Sequence, residues 1–146
     1  MTAFLPDTNV WLALVLDWHP AHGEARAWWD ALDESSRVLL CRPVQLSTLR
    51  LLTTRAVFTP GGAEPLTNTE AWAVVDEMIA DPLVELCVLE PADTGALWRA
   101  SSEASTASPK VWMDAYLSAL SRAAGATLVT NDRALAESHP ADIVIV

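Results

Sequence analysis

Basic residues are scarce in this chain. Nine lysines and arginines stand against nineteen aspartates and glutamates in 146 residues, a formal net charge of −10. That balance excludes a protein that coats nucleic acid by bulk charge, because neutralising phosphates takes lysine and arginine. Cysteine is scarcer still. Cys41 and Cys87 each lie inside an apolar run, and neither has the close spacing with histidine that a zinc site needs, so both read as reduced core residues rather than a disulfide. The roughly 18 to 20 consecutive apolar residues of a membrane span are missing. Asp7, Asp17, Arg42 and Arg50 interrupt the greasiest parts. The opening MTAFLPDTNV has no basic region ahead of an apolar run, so the expectation is a cytoplasmic protein and not a secreted one. Internal repeats, low-complexity tracts and heptad runs are absent as well.

What is present is apolar side chain. A hydrophobic content of 51% is far above that of a disordered chain, and 146 residues leave no room for a second full core. The expectation is one domain spanning residues 1–146. Its charge is uneven: residues 1–60 carry six acids and five bases, residues 61–110 nine and two, and residues 111–146 four and two. The acidic excess is therefore central, from Glu64 to Glu103, where it reads as solvated surface or as a face for a basic partner. A local basic surface made by Arg37, Arg42, Arg50 and Arg55 stays open.

Apolar runs alternate between the two regular periods. AFL followed by Asp-Thr-Asn and VWLALVL reads as a strand, a turn offering helix caps and a buried helix. AHGEARAWWDAL is a second helix, VLLC a strand, and QLSTLRLLTT a helix with Leu46, Leu49 and Leu52 on its apolar stripe. The loop GGAEPLTNTE ends in Thr67-x-x-Glu70, a capping-box pattern that opens the helix AWAVVDEMIA. VELCVL is a strand, ADTGALWRASSEA a helix, and SPKVWMDAYLSALSRAAG a helix closed by Gly125. ATLVT and the final DIVIV are strands. Strands alternating with helices imply parallel pairing, hence a three-layer α/β/α sandwich around a mainly parallel sheet.

In an open parallel sheet, ligands collect beyond the carboxyl ends of the strands. Asp7 follows the first strand, Asp132 follows ATLVT, and Asp114 lies in the first turns of the helix that starts near Lys110. Singly, each has a plain explanation as a helix cap or dipole partner. Together they do not. Two carboxylates about 4 Å apart repel by about 4 kcal/mol at an effective dielectric near 20, so converging acids call for a counter-charge or for protons. A hard divalent cation, Mg²⁺ or Mn²⁺, answers that need and suits in-line hydrolysis of a phosphodiester.

The segments FLPDTNVWLAL, PVQLSTLRLLT, VWMDAYLSALS and LVTNDRAL resemble the PIN-domain nucleases, and more closely the VapC toxins of type II toxin–antitoxin pairs. The resemblance spans nearly the whole chain. It implies a PIN fold, Mg²⁺- or Mn²⁺-dependent endoribonuclease activity on a structured RNA such as transfer RNA, homodimerisation, and neutralisation by a small VapB-like antitoxin. It matches Asp7, Asp114 and Asp132 to the acidic cluster, and Thr8, Asn9 and Thr130 to the polar residues that support it. One position departs: where many members carry glutamate in the helix after the second strand, this chain has Gln45. Under that resemblance Gln45 positions a metal-bound water through its amide oxygen. One firmly held ion then remains, and any second arrives with substrate. Asn131 replaces the aromatic residue often found before the last aspartate.

Arg50 and Arg55 are candidates for RNA phosphates, with ordinary surface arginines as the plain alternative. His19 and His22 read as parts of a loop. Trp28 and Trp29 read as core packing or as cover for an antitoxin helix, with base stacking open. Two other functions share the same aspartates. One is a metal-dependent phosphatase, although neither Gly61-Gly62 nor DTNVW makes a convincing phosphate cradle or aspartyl nucleophile. The other is a partner-binding module in which Gln45 marks lost catalysis.

Overall fold

The computed structural model describes residues 1–138 and 143–146. Strands β1 (Thr2–Pro6), β2 (Ser36–Cys41), β3 (Val84–Cys87), β4 (Thr127–Thr130) and β5 (Ile143–Ile145) form one sheet in the order β3-β2-β1-β4-β5. Every pairing in it is parallel. Parallel neighbours need crossover connections, and the helices supply them. Helices α1 (Thr8–Val15) and α2 (His22–Asp30) join β1 to β2; α3 (Arg42–Leu52), the short α4 (Arg55–Phe58) and α5 (Asn68–Ala80) join β2 to β3. Helices α6 (Thr94–Ser102) and α7 (Val111–Ala123) carry the chain back across to β4, and α8 (Arg133–Ser138) follows it. Helix α1 packs on α2 and α3, and α3 on α5; α6 packs on α7, which lies on β1 and β4. The architecture is the three-layer sandwich expected from the alternation. Asp142, in the expected last strand, lies outside the described residues.

Strands covered on both faces read as continuous apolar runs. Leu5, Val38, Leu39, Leu40, Leu128 and Val129 are all buried, and they meet Val44, Val75, Leu117 and Leu120 from the helices. Trp28 and Trp29 serve this core: Trp28 meets Phe4 edge-on with ring centroids 5.6 Å apart, and Trp29 meets Trp11 at 6.0 Å. Cys41 and Cys87 are register partners on β2 and β3, both free; Cys41 is buried and Cys87 half-buried.

Local signals set the helix ends. Thr67 and Glu70 make the reciprocal capping box, with Thr67 N–H donating to Glu70 Oε2 at 2.8 Å and Glu70 N–H to Thr67 Oγ1 at 3.2 Å. Gly125, at φ +62°, lets the chain turn left-handed after α7. Two expectations are corrected. The strand VELCVL stops at Cys87, because its partner β2 stops at Cys41 and Arg42 begins a helix. Val88 and Leu89 therefore leave the sheet and stand exposed. The buried face of α3 is Val44, Gln45, Thr48 and Leu52, whereas Leu46 is 67% exposed. A stripe read from leucines alone missed that phase, because the sequence does not show that a glutamine and a threonine are the residues turned inward.

The rotation of α3 is testable by urea denaturation. Val44→Ala removes two fully buried methyl groups and is expected to cost about 2 kcal/mol. Leu46→Ala is expected to stay within about 0.5 kcal/mol of wild type. The opposite ranking places Leu46 in the core and contradicts this packing.

Candidate active site

The chain order reverses at β1. It moves outward through β2 and β3, then returns to the other side of β1 to lay down β4. Connections on the two sides leave on opposite faces of the sheet, so a crevice opens beyond the carboxyl ends of β1 and β4. Asp7 stands at that point. It is the N-cap of α1, and its Oδ1 accepts from Val10 N–H at 3.0 Å, while its backbone N–H reaches Val129 O at 2.9 Å. From β4, Thr130 donates its hydroxyl to Asp7 Oδ2 at 2.5 Å and accepts from Asp132 N–H at 2.9 Å. One buried hydroxyl thus ties two of the sequence-identified aspartates together.

Asp132 uses its Oδ1 to accept from Ala134 N–H at 2.9 Å, holding the start of α8. The plain reading of Asp7 and Asp132 as helix caps is therefore correct for both. It does not exhaust Asp7. This carboxyl is only 8% exposed, and its pKa is pushed up from 3.8 to about 6. Burial is the largest cause; the bonds from Thr130 and Val10 pull the other way, and the charges of Asp114 and Asp132 push up further. Asp114, half-buried in the first turn of α7, thus acts on Asp7 from an element distant in sequence. Asp7 lies in the field of both other aspartates.

They are not drawn into one tight ligand shell. Among the described residues, no three His, Cys, Asp or Glu side chains come close enough to hold a metal ion jointly. The donor chemistry still suits a hard dication, since Mg²⁺ takes one or two carboxylates and keeps several waters. A buried carboxyl with a raised pKa beside two more acids is a place where a cation relieves an existing cost.

The other sequence-identified residues divide. Thr130 is at the centre of the group. Thr8 and Asn9 occupy the first turn of α1, next to Asp7, with Asn9 exposed. Gln45 is buried in α3, and its Oε1 accepts from Arg42 Nη1 at 2.5 Å. The amide oxygen assigned to a water is thus engaged by a guanidinium. Arg50 is in the last turn of α3, beside Trp72 and Asn68, and Arg55 pairs with Glu64 at 2.9 Å. Arg37 pairs with Glu85 at 3.2 Å, so the four arginines do not pool into one basic surface. His19 and His22 make local turns: His19 Nδ1 accepts from Ala21 N–H, and His22 Nδ1 lies 2.6 Å from Ala13 O. The sequence pointed to Arg42 only as one of four arginines of a possible basic surface, and it did not single out the aromatic residues of α6 and α7 near it. The Arg42-x-x-Gln45 spacing, one helical turn, was the available signal.

The family model described as the PIN domain matches residues 4–138. Ribonuclease VapC41 of Mycobacterium tuberculosis is 44% identical over 133 residues, 91% of each chain. Ribonuclease VapC33 of the same organism is 34% identical over 88 residues, covering 60% of this chain and 59% of its own. Among solved structures, M. tuberculosis VapC20, a sarcin–ricin loop cleaving toxin, superposes with a TM-score of 0.65 at 19% identity over 98% of both chains. VapBC2 from Rickettsia felis, bound to a DNA fragment from its promoter, gives 0.65 at 13% identity over 99% of this chain and 98% of its own. The last two speak for the fold alone. With the acids at the switch point of such a sheet and a family match across almost the whole length, this chain belongs to the PIN-domain family, among the VapC ribonucleases.

Proposed function

We propose that this protein is an endoribonuclease dependent on Mg²⁺ or Mn²⁺, the toxin of a VapBC-type pair, with Asp7 and Asp114 as the principal metal ligands. The observation that carries the reading is Asp7 itself: a buried carboxyl whose pKa is raised to about 6, at the switch-point crevice and in the field of two further acids. Evolutionarily cheap alternatives to such a cost exist, since a neutral asparagine caps a helix equally well. Similarity to ribonuclease VapC41 supports RNA as the substrate.

When bound, a hard dication lowers the pKa of a water and stabilises the charge that develops in in-line attack on phosphorus. The chain's own residues do the rest. Thr130 and the Val10 N–H fix both oxygens of Asp7, and the same hydroxyl fixes the backbone of Asp132. Asp132, tied to Asp7 through Thr130, would orient the attacking water. Gln45 acts through Arg42, which it anchors for a substrate phosphate, and Arg50 and Arg55 are further candidates for phosphate contacts. The substrate class is a structured RNA. A small VapB-like antitoxin blocks the site, and the toxin works as a homodimer in the cytoplasm. The described residues include no helix long and apolar enough to cross a membrane.

Two outcomes test this. Asp7→Asn and Asp114→Asn are each expected to lower cleavage of total RNA by roughly a hundredfold or more, with far-UV circular dichroism kept and the melting temperature not lowered. Wild-type cleavage is expected with Mg²⁺ or Mn²⁺ and not with chelator. Cleavage that survives chelation, or turnover of a generic phosphomonoester in place of RNA, would exclude the reading.

The second concerns stability against pH. Asp7 binds its proton more tightly in the folded chain, so its contribution is complete below about pH 4 and disappears as pH rises through about 6. The change is on the order of 3 kcal/mol, and the metal-free melting temperature is expected to fall across that window. Asp7→Asn is expected to flatten the fall, and Mg²⁺ to restore wild-type stability only above it. A wild-type profile that rises from pH 4 to 6 gives the wrong sign and removes the electrostatic basis of the proposal.

A further inference from the structure

Beyond the carboxyl end of β3 the chain leaves the sheet through Val88, Leu89 and Glu90, and a hollow of about 600 Å³ opens between that segment, the start of α3 and the helices α6 and α7. Six of its lining residues matter: Arg42, Glu90, Trp98, Trp112, Met113 and Tyr116. Two of its lining residues lead to residues the sequence singled out. Met113 directly precedes Asp114 on α7, and Arg42 holds Gln45.

The aromatic residues here are arranged, not merely exposed. Trp98 meets Tyr116 edge-on, with centroids 5.4 Å apart and planes at 82°, and its Nε1–H donates to Trp112 O at 3.0 Å. Trp112 nevertheless keeps 57% of its surface exposed, and Trp98 38%. A tryptophan left in water at the carboxyl end of the sheet is apolar surface held ready for a flat partner. Tyr116 donates its hydroxyl to Glu90 Oε1 at 2.5 Å. Burial, and then that bond, push the Tyr116 phenol well above its ordinary value, so the tyrosine keeps its proton and is the donor in this bond. A carboxylate fixed in this way offers its remaining lone pairs to N–H groups and has no hydrogen to give. Arg42 spends one of its donors on Gln45 and has others for a phosphate.

We propose that this hollow is a nucleobase subsite for an unpaired nucleotide next to the scissile linkage, with Trp112 as the stacking platform, Glu90 reading a donor edge of the base and Arg42 meeting its phosphate. The inference rests on the ribonuclease reading above and adds a sequence preference to it. Guanine suits the subsite best, since its N1–H and N2 amino group present two adjacent donors to one carboxylate. Adenine and cytosine present one amino group, and uracil a single imide N–H. Recognition of single-stranded RNA commonly uses such splayed bases on aromatic rings.

The test uses the full-length protein and uridine octamers carrying one central guanosine, inosine or abasic site, with binding followed by fluorescence anisotropy in chelator so that no cleavage runs. Wild type is expected to bind the guanosine octamer about tenfold more tightly than the abasic one, as base stacking on one aromatic ring allows. Trp112→Ala is expected to abolish that difference. Glu90→Gln is expected to keep it but to lose the preference for guanosine over inosine, which lacks the N2 amino group. Circular dichroism and melting identify any misfolded variant, and Trp112→Leu then replaces Trp112→Ala. In a parallel cleavage of total RNA with Mg²⁺ or Mn²⁺, sequencing of the ends is expected to show guanosine enriched beside wild-type cuts and not beside those of Glu90→Gln. If wild type cleaves RNA while both variants match it in binding and in cut-site preference, the subsite is overturned and the ribonuclease reading stands. If wild type neither binds nor cleaves RNA, both fall. Trp112→Ala that keeps RNA binding but no longer binds a co-expressed antitoxin identifies the hollow as a protein-docking site and also overturns the proposal.

Discussion

The hydrogen bond from Thr130 to Asp7 joins the two strands at which the sheet reverses its order, and the candidate site depends on it. It links residues 123 positions apart and is buried. Without it, β1 and β4 would still pair through their backbones, but the carboxyl of Asp7 would sit in the interior with one oxygen unmatched, at a cost of several kcal/mol for a charged group. With it, the ionised form is helped, yet burial and the two neighbouring acids still outweigh both hydrogen bonds. The fold thus holds Asp7 in place firmly and holds its charge poorly. A position built that way gains from a cation and gains little from anything neutral.

The cap roles of Asp7 and Asp132 belong to the same arrangement. Each carboxylate faces the N-terminal end of a helix, where the free N–H groups and the helix dipole favour negative charge. Caps also fix rotamers. Asp7 is held by Val10 and Thr130 and Asp132 by Ala134, so two of the acids are oriented before any ligand arrives.

Much of this was legible in the sequence. Alternating apolar periods gave the layers, and the position of Asp7 and Asp132 directly after strands placed them at the carboxyl end of the sheet, because strand ends and helix caps are local features. Asp114 was legible only in company, as one of three acids on elements that a parallel sheet brings to one end. What could not be read depended on contacts between elements. The inward turn of Gln45 and Thr48 on α3 is set by what α3 meets, not by its leucines. Arg50 and Arg55 looked equivalent to Arg42, yet the helix carries Arg50 about 8 Å further along its axis than Gln45, while Arg42 is one turn before it. The early end of β3 required knowing that its partner strand finishes at Cys41.

Gln45 is where the chemistry and the packing meet. A glutamate there would form an ion pair with Arg42 and neutralise it. The amide does neither. It holds Arg42 through a single short bond while leaving the guanidinium its full charge, and Arg42 itself remains exposed. The consequence is a division along the carboxyl end of the sheet: acids at β1 and β4, and an anchored arginine just after β2 at the edge of an aromatic hollow. In a chain with a net charge of −10, a cation held in this way is a contact that the proposed RNA substrate could use. Under the proposed reading, an amide at this position gives up a possible metal ligand and keeps a cation free for substrate.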